Sequence, residues 1–195
     1  AQLVSSCQLG KEAHLAESFG QAEALYRRCL NESHMSAVQR STYLGNLSVA
    51  LRVNGKFDSA LLELNEKEQA LISSQGPDAP DLANTYSNRG DLNFEIGQYQ
   101  KAIKDYTRSI EVDKIHMGEK TVRVASSYSK LSKLYLRQGS IEQAYIYINK
   151  ALQLQLSIFG DAKTVDIAST YNNLSKYWRE KGDSHQAVHN LNKAY

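Results

Sequence analysis

Three asparagines stand in register along the chain, Asn46, Asn88 and Asn173, 42 and then 85 residues apart. A side-chain amide carries a donor and an acceptor together, which suits it to the main chain of an extended peptide. Asparagine is a mediocre helix former, so its recurrence at one position of a helical segment needs a reason. Cations fall beside these amides at helical spacing: Lys11, Arg52, Lys130, Lys133, Arg137, Lys176 and Arg179, against Asp91, Glu95 and Glu180. Seven positive and three negative charges make that face +4, in a chain whose formal charge is +2. Such a face concentrates positive potential and would favour an acidic or phosphorylated segment. The competing readings are a solvated helix face for the charges, and bonds to neighbouring helix pairs for the amides.

Other chemistry is thinner. His185 and His189 lie four residues apart and could share a metal ion, but no acidic or cysteine ligand set accompanies them, so surface histidines are expected. Cys7 and Cys29 are too few for a disulfide framework. Cys29 is expected as an inert core thiol, and Cys7 as an accessible one facing the same side as the amides. Arg89-Gly90-Asp91 spells an adhesion tripeptide inside a helical pattern. Asn31-Glu32-Ser33, Asn46-Leu47-Ser48 and Asn173-Leu174-Ser175 match the glycosylation acceptor pattern. There is no Gly-rich phosphate loop, nucleophile elbow, metal-ligand cluster or paired-carboxylate pattern. No catalytic residue, metal or cofactor is expected.

These residues must be positioned by helices. The chain has 195 residues, 42% of them hydrophobic, with a mean hydropathy of −0.50 and only two prolines to interrupt helices. No apolar run approaches the roughly 20 residues that span a bilayer, and no signal peptide is recognisable, so a soluble cytoplasmic protein is expected. The near balance of charge excludes a nucleic-acid coat driven by bulk charge. Gly55, Gly97 and Gly139 are 42 residues apart, as are Gly76, Gly118 and Gly160, and Ala60, Ala102 and Ala144; Gly182 and Ala187 extend two ladders after a step of 43. Within one period, Val124, Tyr128, Leu131, Leu134 and Tyr135 form one helical stripe, and Ile141, Ala144, Tyr145, Ile148, Ala151, Leu152 and Leu156 a second. A glycine separates the two helices, and one alanine per unit marks their closest approach. Trp178 falls in the packing column of Leu51 and Tyr135, so a core role is expected.

The order of aromatic, Leu, Gly and Ala resembles the tetratricopeptide repeat. The third unit is clearest, with Tyr86, Gly90, Gly97, Tyr99, Ala102 and Tyr106 in the family's places. The first unit matches through Leu9, Gly10, Phe19, Ala22, Tyr26 and Leu30, the second through Leu44, Leu47, Gly55, Phe57, Ala60 and Leu64, and the fifth through Tyr171, Leu174, Trp178, Gly182, Ala187, Leu191 and Ala194. Two residues depart: Glu17 stands where an inter-helix glycine belongs, and Lys67 replaces a small residue. The period exceeds the family's usual length of about 34 residues, and the connections at 76–88 and 160–174 resemble those of kinesin light chains.

The resemblance implies an all-α, right-handed superhelical solenoid of stacked antiparallel helical hairpins. One array of about five repeats (3–40, 41–82, 83–124, 125–167, 168–195) is expected, as a fragment of a longer protein. It also implies a concave groove lined by the first helices, in which Asn46, Asn88 and Asn173 hold a bound peptide's main chain. The chaperone-tail clamp of the family is absent, since Cys7 and Lys11, Gly45 and Val49, and Ser129 and Lys133 stand at its places. The expected function is a non-catalytic protein-interaction scaffold or adaptor whose groove takes an acidic peptide or partner helix, with no nucleic acid and no membrane. The alternatives are a regulatory or structural array of a larger signalling ATPase or enzyme, packing on its own domains, or self-association through uncapped ends.

Overall fold

Several helices begin where the sequence places a side-chain acceptor ahead of an amphipathic stretch. Ser5 accepts from the Gln8 amide at 3.3 Å, Thr121 from Val124 at 3.2 Å, and Thr164 from Ile167 at 3.2 Å. Ser36 and Gln39 close a reciprocal capping box. Each cap satisfies an amide that a helix start leaves unbonded. A computed structural model describes residues 5–32, 34–160, 162 and 164–194, and is all-α, with ten helices and no strand among them. The chain divides into two compact units, Ala1–Ile96 and Gly97–Tyr195.

Unit 1 holds α1 (Ser6–Leu15), α2 (Phe19–Glu32), α3 (Ala37–Val53), α4 (Phe57–Gln75) and α5 (Asp81–Glu95). Helix α1 packs on α2 and α3 on α4 as hairpins, while α2 meets α3 and α4 meets α5 in series. Unit 2 holds α6 (Tyr99–Met117), α7 (Val122–Arg137), α8 (Ile141–Phe159), α9 (Val165–Glu180) and α10 (Ser184–Lys193). There α7–α8 and α9–α10 are the hairpins, and α7 also touches α9. Ala60, Ala102 and Ala144 are fully buried, so the alanine ladder marks the places where helices come closest. Trp178 packs against the cluster of Ile148, Leu174 and Tyr177, in agreement with the core role read from the sequence.

The hairpin turns share one geometry. At Gly139 (φ 73°) the Ser140 amide bonds back to the Tyr135 carbonyl at 2.9 Å. Glu17 adopts the same left-handed conformation (φ 56°), and the Ser18 amide reaches the Ala13 carbonyl at 2.8 Å. The first hairpin thus keeps the family's turn with a residue that pays for its Cβ.

Two departures from the repeat pattern are resolved by packing. Cys7 and Cys29 are not separate thiols, as the sequence predicts, but a disulfide between α1 and α2, with Cα atoms 4.8 Å apart and a sequence separation of 22. Gly45 and Lys67 are also 22 residues apart, and a Cβ built on Gly45 would lie 2.9 Å from the Lys67 Nζ. The cysteines therefore occupy the hairpin contact that Gly45 and Lys67 occupy between α3 and α4. A long side chain at 67 is accommodated because position 45 has none. Asn31-Glu32-Ser33 ends on Ser33, and the chain's last residue is Tyr195; both lie outside the described residues.

Candidate functional site: the first-helix faces

On α7 the buried stripe of Val124, Tyr128, Leu131 and Leu134 fixes the rotation of the helix. Lys130, Lys133 and Arg137 are thereby placed within an arc of about 60°. The same logic on α9, anchored by Ile167, Leu174 and Tyr177, sets Lys176 and Arg179 one turn apart. Lys133, Arg137, Lys176 and Arg179 are exposed. Lys130 is half-buried, its Nζ 5.6 Å from the centre of the Tyr106 ring on α6. An ammonium over an aromatic face is steadied without being neutralised. The two helices are stitched together by Ser129 Oγ and Thr170 Oγ1 at 3.0 Å.

The amide column serves the stack more than the solvent. Asn173 is only 5% exposed and its Nδ2 donates to Ser132 Oγ at 3.3 Å. Burial and the bond across to α7 give this amide a packing role beside the ligand-binding one expected from the sequence. Asn46 is half-buried and hydrogen-bonds to the Tyr26 phenol of the preceding hairpin, while burial raises that phenol's pKa. Asn88 is half-buried on α5.

Unit 1 also compensates its share of the cations. Arg52 donates to Glu95 Oε1 at 2.7 Å, joining α3 to α5. Lys11 sits 5.3 Å above the Tyr43 ring. Arg89 pairs with Glu68 and donates to Asn65 at 2.8 Å, and Gly90 beside it is buried, so the Arg-Gly-Asp tripeptide is part of the helix packing. Glu23 is desolvated, which alone would raise its pKa, but hydrogen bonds from Lys56, Asn54 and Arg27 outweigh this and hold it below its ordinary value. Part of the expected positive face is thus an internal salt bridge in unit 1, while Lys133, Arg137, Lys176 and Arg179 of unit 2 are solvent-exposed.

Sequence reasoning marks Lys67 as a departure from the repeat, but not as a buried lysine. It is 9% exposed, its pKa lowered by desolvation against a small opposing pull from Asp81. The signal that could have found it is the absence of a side chain at Gly45, 22 residues earlier. Unit 2 has a different opening, a cavity of about 510 Å³ lined by Leu156, Val165, Ile167, Ala168, Tyr171 and Ala194. His185 and His189 are both exposed, and no group of three or more metal-ligating side chains occurs among the described residues. No helix among them is long and apolar enough to cross a membrane.

Two-helix units in series, with a buried alanine on α2, α4, α6 and α8, define a helical-hairpin repeat protein. The model of the tetratricopeptide repeat family matches residues 38–115 and 123–195, and the chain belongs to that family. Its repeats are of the kinesin light chain-like subtype. It is 24% identical over 154 residues to Protein KINESIN LIGHT CHAIN-RELATED 1 of Arabidopsis thaliana, a match covering 76% of this chain but 25% of that protein. The chain therefore spans about a quarter of the length of that relative. Among solved structures, BtubC (BKLC) from P. vanneervenii superposes with a TM-score of 0.85 at 21% identity, covering 97% of this chain and 76% of that one. A Podosopora anserina protein with nearly identical kinesin light chain TPR-like repeats gives 0.79 at 13% identity, with 97% and 91% covered. At these identities the structural likeness is one of fold. The fold is one that generally mediates protein–protein interaction.

Proposed function

We propose that this chain is a non-catalytic interaction scaffold whose first-helix face in unit 2 receives an acidic, extended segment of a partner protein. The observation that carries this reading is the division of charge. Unit 1 has eight Lys and Arg against twelve Asp and Glu, net −4, whereas unit 2 has fifteen against nine, net +6. Within unit 2, Lys133, Arg137, Lys176 and Arg179 are exposed on two helices that touch one another. Lys130 adds an ammonium steadied by Tyr106. Complementary charge of this kind raises association rate and selectivity, and its effect falls with salt.

The test is a titration of an acidic peptide against the protein and its Lys133→Glu/Lys176→Glu variant at low and high salt. The variant should bind more weakly and lose most of its salt dependence. Equal affinity of both proteins at both salts would remove the face from consideration. A second reading, an array that packs on further domains or on another copy, is favoured by the apolar cavity beside Val165 and Tyr171.

A further inference from the structure

A second cationic opening lies in unit 2, away from the face just described. Tyr128 and Lys133 are five residues apart on α7 and so point about 140° from each other around the helix axis. Over Tyr128, the end of α6, the connection that follows it and the last half of α8 enclose a cavity of about 340 Å³. Its lining is rich in donors. Lys114 lies 5.8 Å and Lys150 5.7 Å from the centre of the Tyr128 ring, and Lys150 is also 5.1 Å from Tyr147. Gln153 adds an amide, and Ser157 a hydroxyl that donates to the Leu154 carbonyl at 2.8 Å and keeps its acceptor side.

A carboxylate already stands in this opening. Glu119, from the short connection between α6 and α7, accepts from Lys114 Nζ at 2.7 Å. It also bonds to the Tyr128 phenol and feels Lys150, and the hydrogen bond from Lys114 holds its carboxyl below the ordinary value. Glu119 is itself exposed, so its hold is that of one solvent-screened ion pair and is easily exchanged. The tyrosine rings steady the two lysines in place, so an incoming acid would meet donors that are already ordered.

We propose that this cavity binds an acidic side chain of a partner peptide, with Glu119 as an intramolecular occupant that the partner displaces. The volume exceeds what one carboxylate fills, leaving room for the flanking main chain against Gln153 and Ser157. This site is separate from the one carried by Lys133 and Lys176.

The experiment titrates a labelled ten-residue oligoglutamate peptide against three proteins at low salt: wild type, Glu119→Gln, and Glu142→Gln. Glu142 lies on α8, pairs with Lys181, and supplies the same one-charge change about 12 Å from Lys150 along the helix. Glu119→Gln should bind about fivefold tighter than Glu142→Gln, the size of one exposed charge contact. Adding Lys114→Gln and Lys150→Gln should abolish that gain, and adding Lys133→Glu and Lys176→Glu should leave it intact. The ring signals of Tyr128 and Tyr147 should shift on titration. Equal affinities for Glu119→Gln and Glu142→Gln, or ring signals that stay still, would overturn the proposal without touching the first-helix face.

Discussion

The two units are built from the same hairpin and fastened differently. In unit 1 the fastening is covalent and ionic: Cys7–Cys29 joins α1 to α2, Arg27–Glu63 and Lys56–Glu23 join α2 to α4 and to the turn before it, and Arg52–Glu95 joins α3 to α5. In unit 2 much of it is aromatic. Tyr145 stacks on Tyr177 with ring centres 4.6 Å apart, Tyr135 stacks on Tyr147 at 5.4 Å, and Lys130, Lys150 and Lys193 lie over tyrosine rings. Salt bridges cancel the charge they use, whereas an aromatic face leaves it standing. The net charges, −4 for unit 1 and +6 for unit 2, come from composition, and unit 2 has ion pairs of its own in Lys114–Glu119, Arg123–Asp113 and Lys181–Glu142.

The largest expected effect breaks the comparison at its covalent end. Removing the disulfide by Cys7→Ala/Cys29→Ala frees a loop of 22 residues and should cost unit 1 about 3 kcal/mol. Denaturant unfolding followed by hydrogen exchange should show faster exchange in α1 and α2, with unit 2 unaltered. Uniform loss across both units would mean that the units do not differ in how they are held. In a reducing compartment the pair would be two buried thiols, so the same loss should follow treatment with a dithiol reductant; this bond is also the observation that sits least easily with a cytoplasmic setting.

Lys67 offers a sharper, pH-dependent test. Its folded pKa is lowered by burial, so between that value and the ordinary 10.5 the unfolded chain binds more protons than the folded one. Over that window stability rises with pH, and the penalty for charging Lys67 is fully present below it. Lys67→Met should therefore be more stable than the parent at pH 7, with the gain shrinking as pH rises toward 10.5. Urea midpoints for the two proteins at neutral and alkaline pH would reveal it; a difference independent of pH would mean that the ammonium is well solvated.

The smallest effect lies in the first turn. Glu17→Gly removes a Cβ from a left-handed residue and should stabilise unit 1 by about 1 kcal/mol or less, after the extra chain entropy of glycine is counted. The reverse change at Gly139, to Glu, should destabilise unit 2 by a similar amount. Thermal unfolding that ranks the two changes otherwise would show that the turns are not equivalent.

Much of this architecture was legible because periodicity reports which way a side chain points. The alanine ladder of Ala60, Ala102 and Ala144 lies fully buried, and Trp178, partly buried, packs against the core. Periodicity does not report what stands opposite. Asn173 falls in the same column as Asn88, yet it is turned to Ser132 because α7 presents a hydroxyl there. Arg52 was counted as an open cation because its partner Glu95 is 43 residues away, on another helix. The disulfide was hidden for the same reason: Cys7 and Cys29 were read as separate positions, and only the 22-residue spacing shared with Gly45 and Lys67 marks them as one contact.

The central claim is that unit 2 carries the binding face and unit 1 does not. The most direct measurement is an NMR titration of the isotopically labelled protein with an acidic peptide, following backbone amides in both units. The account predicts that shifts concentrate on α7 and α9, around Lys133, Arg137, Lys176 and Arg179, and fade at high salt. Shifts confined to α1, α3 and α5 of unit 1, or shifts indifferent to salt, would contradict it.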